Sequence, residues 1–244
     1  MPICAANFAD ITCGVGGDLV VLLIGPPGCG KGTQSARLKQ SLEIPGISTG
    51  DMFRYEIEKG TALGVEASKV INKGQLVDDG LVGKMLMARL STPECASGYL
   101  LDGYPRTVSQ AMFLSEFLAK TGRPEPLVLH IEVPADLLIR RMSARRSCPT
   151  CGRIYNLVNS PPKIDGLCDD DQASLTQRED DRQGVIKERL DAYQEWTEPV
   201  VKYYEKAAYF KIDGNRSPLE VFITIEDCVK KYQLTQSKSP AASQ

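Results

Sequence analysis

Between residues 25 and 33 the chain reads Gly-Pro-Pro-Gly-Cys-Gly-Lys-Gly-Thr, just after the apolar run Leu19 to Ile24. Glycines let a backbone curl until several N–H groups face one point, which suits a chain of phosphates. A helix starting there would add its positive N-terminal end. Lys31 supplies a mobile positive charge for the β- and γ-phosphates. The general pattern of such loops has Ser or Thr directly after the lysine, whereas here Gly32 takes that place and Thr33 follows. Guanidinium forks match phosphate oxygens, so Arg54 and Arg106 are candidates for a second phosphate. Arg141 and Arg145 are spaced to share one helix face, and Arg178 and Arg189 lie beyond them. Phosphoryl transfer needs positioning and charge neutralisation more than a covalent nucleophile. That fits a chain with no Gly-x-Ser-x-Gly elbow and one histidine, His130, set in an apolar strand.

A second constellation is made of thiols. The spacing Cys148-x₂-Cys151-x₁₆-Cys168 is followed by Asp169, Asp170 and Asp171. Cys-Pro-Thr-Cys-Gly is a turn that presents two thiolates to one metal, and three thiolates with one carboxylate complete a closed tetrahedral zinc site. Such a site is structural, and would pin a module with little core of its own.

The elements that must position these groups alternate. Strands are predicted at Asp18–Ile24, Tyr99–Asp102, Leu127–Val133 and Tyr209–Ile212, with a short extended piece at Ile47–Thr49. Helices are predicted over about 31–42, 51–59, 62–72, 79–90, 107–120, 181–207 and 218–232, with Pro134 opening another. Residues 147–178 break the pattern and read as an inserted, loop-rich module. The alternation predicts an α/β fold, a parallel sheet flanked by helices. Asp102 ends an apolar strand, where ligands bind in open α/β sheets.

The chain has 244 residues, a formal net charge of -2 and 42% hydrophobic residues, so nothing global points to a polyanionic partner such as nucleic acid. The longest apolar run is too short to cross a bilayer. Residues 1–18 contain no Lys or Arg and read as a loose extension rather than a targeting signal, and 233–244 as a loose tail. Without a secretory signal, eight cysteines point to the reducing cytoplasm and to metal rather than disulfides.

Four ordered segments carry a resemblance to adenylate kinases over residues 19–232. They are the loop at 25–33, Gly46-Ile-Ser-Thr-Gly-Asp-Met-Phe-Arg54, Gly98-Tyr-Leu-Leu-Asp-Gly-Tyr-Pro-Arg-Thr-Val-Ser-Gln110, and Leu175-Thr-Gln-Arg-Glu-Asp-Asp-Arg182 with Lys187-Glu-Arg-Leu190. The resemblance implies a P-loop kinase core, a helical AMP-binding insertion near 48–77 and a zinc-bearing lid near 144–181. It implies the reaction ATP + AMP = 2 ADP with magnesium, in a monomer. Its catalytic set would be Lys31, Asp102, Arg106, Arg141, Arg145, Arg178 and Arg189.

By the same resemblance, ATP would meet Gly28, Cys29, Gly30, Lys31, Gly32, Thr33, Arg141, Arg145, Ile154, Tyr155 and Arg216. AMP would meet Thr49, Arg54, Gln75, Leu76, Val77, Gly103, Tyr104, Pro105, Arg106, Gln110, Arg178 and Arg189, with Thr49 and Gln110 reading the base. Asp102 would order magnesium through its waters. Asp51 either assists there or caps the helix it begins. Asp171 is the fourth metal ligand by resemblance, with Asp169 and Asp170 beside it. A GTP:AMP phosphotransferase shares most of these motifs, and a regulator that has lost catalysis would be expected to lack one or more of the charged residues, all of which are present.

Overall fold

The structure, a computed structural model, describes residues 19–236. The expected extension at 1–18 and the end of the expected tail, 237–244, lie outside the described residues. Strand β1 (Leu19–Ile24) runs up the middle of a five-stranded parallel sheet, with β3 (Gly98–Asp102) on one side and β4 (Leu127–Glu132) on the other. The short β2 (Gly46–Ser48) closes one edge beside β3, and β7 (Ala208–Asp213) closes the other beside β4.

Strand alternation explains the two cores. Val20 and Leu22 face one side with Tyr99 and Leu101, and Val21 and Leu23 face the other with Leu100 and Leu129. The first face is covered by α2 (Thr49–Glu58), α3 (Ala62–Ile71), α4 (Asp79–Leu90), α5 (Val108–Lys120) and α8 (Glu198–Tyr204), whose Phe53, Ala67, Leu86, Leu114 and Val200 are buried there. The second is covered by α1 (Lys31–Leu42), α6 (Ala135–Ser143) and α9 (Pro218–Gln236) through Leu38, Leu138 and Ile225.

The boundaries differ from the sequence-based expectation in four places. The helix expected over 181–207 starts at Gln183 as α7 (Gln183–Ala192), widens to a π turn at Tyr193–Thr197, and resumes as α8. Pro199 lacks an N–H and its ring crowds the preceding turn, which accounts for the widening just ahead of it. Arg141 and Arg145 do not share a helix face, because α6 ends at Ser143 and Arg145 opens β5 (Arg145–Ser147). Helix α9 continues to Gln236, four residues into the expected tail. The inserted module is not all loop: β5 pairs antiparallel with β6 (Ile154–Asn156), Arg146 lying opposite Tyr155.

Candidate functional site

A cavity of about 770 Å³ opens at the C-terminal edge of the sheet, within the range that holds a nucleotide-sized ligand. Its floor is the turn after β1. Gly28 adopts φ 82°, and a Cβ there would stand 2.8 Å from the Met142 side chain, so glycine is required on both counts. Helix α1 starts at this turn with no side-chain cap, leaving its first amides for whatever occupies the cavity. The Lys31 ammonium is folded back, donating to the carbonyls of Gly25 (2.7 Å) and Pro26 (2.9 Å) and reaching Cys29 Sγ at 3.6 Å. Gly28, Cys29, Gly30, Lys31, Gly32 and Thr33 all line this cavity.

Asp102 sits at the end of β3, level with Leu23 and Ser48 on its neighbours. Burial raises its carboxyl above the usual carboxylate range, although Lys31 opposes the shift. A cation brought to this carboxylate would offset the same penalty, so the residue fits a magnesium ion held through water. Asp51 is not the cap of α2. Ser48 is, its hydroxyl accepting from the Asp51 amide, while the Asp51 carboxylate pairs with Arg54. Burial would raise the Asp51 carboxyl, but Arg54 and Arg178 outweigh it and hold it low.

A smaller cavity adjoins the first beneath α2 and α3, sharing Arg54, Gly103, Arg106 and Arg189 with it. Thr49, Gln75, Leu76, Val77 and Gln110 line its wall. Gly103 adopts φ 77°, and a Cβ there would lie 2.9 Å from the Arg106 guanidinium and 3.3 Å from Thr49 Oγ1. The Gly103 carbonyl accepts from both of those side chains, at 2.8 Å each. Two predicted residues stand behind the wall instead of in it. Tyr104 and Pro105 are buried and joined by a cis peptide, the Tyr104 hydroxyl donating to the Gln110 carbonyl at 3.2 Å. Arg178 lines only the larger cavity.

Between the cavities the charge is strongly positive. Burial and the neighbouring Arg189 push the Arg106 guanidinium down to about 10, and burial with Arg54 and Arg145 does the same to Arg178. Arginines held this close without matching anions repel one another, which an incoming polyphosphate would relieve. Asp180 and Asp181 hold part of the set. Arg145 grips fully buried Asp181 with two bonds of 2.6 and 2.5 Å, and Arg189 reaches the same carboxylate at 2.8 Å and Asp180 at 3.0 Å. Thr197, in the π turn, donates to the Arg106 carbonyl at 3.0 Å. The Glu179-Asp180-Asp181 run has no role assigned from the sequence alone; its signal is two acids between Arg178 and Arg189.

The lid closes the other side. Arg141 bonds the Gly214 carbonyl at 2.9 Å, and Ile154 of β6 comes within contact distance of a Cβ built on Gly32. Ile154, Tyr155 and Arg216 line the larger cavity with Arg141 and Arg145. Behind this face the ligand atoms of Cys148, Cys151, Cys168 and Asp171 lie within 4.8 Å of one another. Cys151 and Cys168 sulfurs are 3.5 Å apart, close to the roughly 3.8 Å edge of a tetrahedron with 2.3 Å zinc–sulfur bonds. The amides of Thr150 and Cys151 donate to Cys148 Sγ at 3.3 and 3.4 Å. The set fits zinc. Asp169 and Asp170 are turned away toward Arg153.

Comparison with known proteins agrees with this geometry. A family model described as adenylate kinase matches residues 23–209. The chain is similar to a protein of Thermosipho melanesiensis named adenylate kinase, 47% identical over 196 residues that cover 80% of this chain and 92% of the relative. It is also similar to proteins of that name from Oceanobacillus iheyensis (42%, covering 86% and 99%) and Methanocella arvoryzae (45%, covering 86% and 98%).

Proposed function

The chain belongs to the adenylate kinase family, and on that footing we propose how its residues carry the reversible reaction ATP + AMP = 2 ADP. The observation that carries the reading is the convergence of arginines from separate elements on the junction of the two cavities. ATP occupies the larger cavity. The amides of 28–33 and the Lys31 ammonium hold its phosphates, while Arg141, Ile154, Tyr155 and Arg216 hold its base and sugar. AMP occupies the smaller cavity, its phosphate on Arg54 and Arg106, its base beside Thr49 and Gln110 and against the backbone of 75–77.

A phosphate oxygen of AMP attacks the γ-phosphorus, and the bond from that phosphorus to the oxygen bridging to the β-phosphate breaks. Arg145, Arg178 and Arg189, from the lid side, neutralise the group in flight together with Lys31 and Arg106. A magnesium ion carried on ATP would neutralise phosphate charge, and Asp102 would hold it through its water shell. The lid excludes water, which would otherwise take the phosphoryl group. Cys148, Cys151, Cys168 and Asp171 would hold a structural zinc that fixes the lid hairpin.

Among the described residues no helix is long and apolar enough to cross a membrane. All six described cysteines are free, which supports a place in the reducing cytoplasm. Both cavities are built from one chain, which supports a monomer. GTP as donor is not favoured, since the relatives carry the adenylate kinase name. A dinucleotide of two adenosines joined by five phosphates tests the paired sites. It should bind once per chain and compete with both ATP and AMP; competition with ATP alone would contradict the assignment.

A further inference from the structure

The amide of Gln110 is held by two partners whose chemistry leaves it one orientation. Its Nε2 donates to Asp79 Oδ1 at 2.6 Å, and its Oε1 accepts from the Arg106 backbone N–H at 2.8 Å. A carboxylate only accepts and a peptide N–H only donates, so a flipped amide would lose both bonds. The other Asp79 oxygen accepts from the Thr107 hydroxyl at 2.7 Å, and that hydroxyl in turn accepts from the Gln110 backbone N–H at 3.1 Å as the cap of α5. Asp79 opens α4 and does not line the acceptor cavity, whereas buried Gln110 does.

We propose that Asp79 is a positioning residue that sets base selection at the acceptor site, by locking Gln110 in the sense that reads a 6-aminopurine. The inference rests on the reading that Gln110 faces the base of AMP. The locked amide keeps one N–H and one oxygen lone pair side by side for a ligand. Adenine offers the complement, an amino donor next to a ring-nitrogen acceptor. A 6-oxopurine puts an acceptor where the amino group was, and meets the Gln110 oxygen with like polarity. Without Asp79 only the Arg106 N–H still holds the amide, and turning over costs one bond instead of two. Turned over, it would meet the 6-oxo group and N1–H of a 6-oxopurine, so the selectivity lies in the clash that Asp79 helps keep Gln110 from escaping.

The test compares AMP with inosine monophosphate as acceptors at saturating magnesium-ATP. Asp79→Ala should raise KM for AMP about tenfold and narrow the ratio of kcat/KM for the two acceptors about tenfold, with KM for ATP unchanged. Asp79→Asn, which keeps an acceptor oxygen at that place, should retain most of the selectivity. Should Asp79→Ala fail to fold, Asp79→Ser, too short to hold the amide, replaces it. Gln110→Ala is the control for the underlying reading. If it leaves the ratio unchanged, the base is read elsewhere and the inference falls with that reading. If Gln110→Ala narrows the ratio while a folded Asp79→Ala does not, the locking role alone is overturned.

Discussion

Thr49, Arg106 and Gln110 line the smaller cavity and Ile154, Tyr155 and Arg145 line the larger, and the two sets are held by different means. The first group is bonded directly to the sheet and the helices on it: Thr49 and Arg106 share the Gly103 carbonyl, Thr197 holds the Arg106 backbone, and Asp79 holds Gln110. The lid has almost no core. Its buried cluster is Cys148, Tyr155 and Cys168 with Ala173 and Leu175 beside them, and Tyr155 reaches the cysteine set through its hydroxyl, 3.4 Å from Cys168 Sγ. A surface this small cannot order some thirty residues by burial, so the cysteine set carries the task. One region is rigid because it belongs to the domain core, and the other because a few ligands are tied to one point.

That contrast is open to attack in order of effect. Arg106→Ala should lower kcat by on the order of a thousandfold, as for other arginines that meet a transferring phosphoryl, while calorimetry finds a melting temperature within a few degrees of wild type. A large loss of stability with modest loss of turnover would mean the residue is structural. Cys148→Ser should reverse the balance. Bound zinc should fall from one per chain to none by elemental analysis, and hydrogen exchange should quicken across 145–176, with kcat falling less than about tenfold because the cations of the core remain. Unchanged exchange would remove the metal from the account of the lid. Thr197→Val, which takes one neutral hydrogen bond from the Arg106 carbonyl, should raise KM for AMP about threefold and leave KM for ATP alone.

The smallest effect concerns pH. His130 bridges Tyr209 (2.7 Å) and cavity-lining Tyr193 (3.1 Å). Burial lowers its pKa from 6.5, with Glu132 opposing and Lys211 and Lys31 reinforcing the shift. Below 6.5 the unfolded chain therefore binds a proton that the folded chain resists, so stability falls as pH drops from that value toward the lower folded one. His130→Gln should remove this part of the slope in denaturant titrations run between pH 5 and 7. An unaltered slope would place the pH dependence on other groups.

What was legible in the sequence was local. The phosphate loop, the arginines inside their ordered segments and the Cys-x₂-Cys knuckle are each fixed by neighbours a few residues away, and the sheet followed from apolar runs between helical patterns. What was not legible depends on distant partners. Arg145 and Asp181 are 36 residues apart, and Gln110 and Asp79 are 31 apart, with no periodicity to announce either pair. The strand that carries Arg145 was hidden because Arg-Met-Ser-Ala-Arg-Arg continues a helical pattern, and only pairing with 154–156 ends the helix. Ser48, one residue ahead of the helix, took the cap that Asp51 also suited.

The most direct test is a panel of donors and acceptors with purified protein and magnesium, separating and counting the products. The account predicts rapid ADP formation from ATP with AMP, two ADP for each ATP consumed, and slow transfer when GTP replaces ATP or when GMP, CMP or UMP replaces AMP. Nucleotide binding without transfer for any pair would contradict it, since Lys31 and the arginines assigned to the step all line the larger cavity.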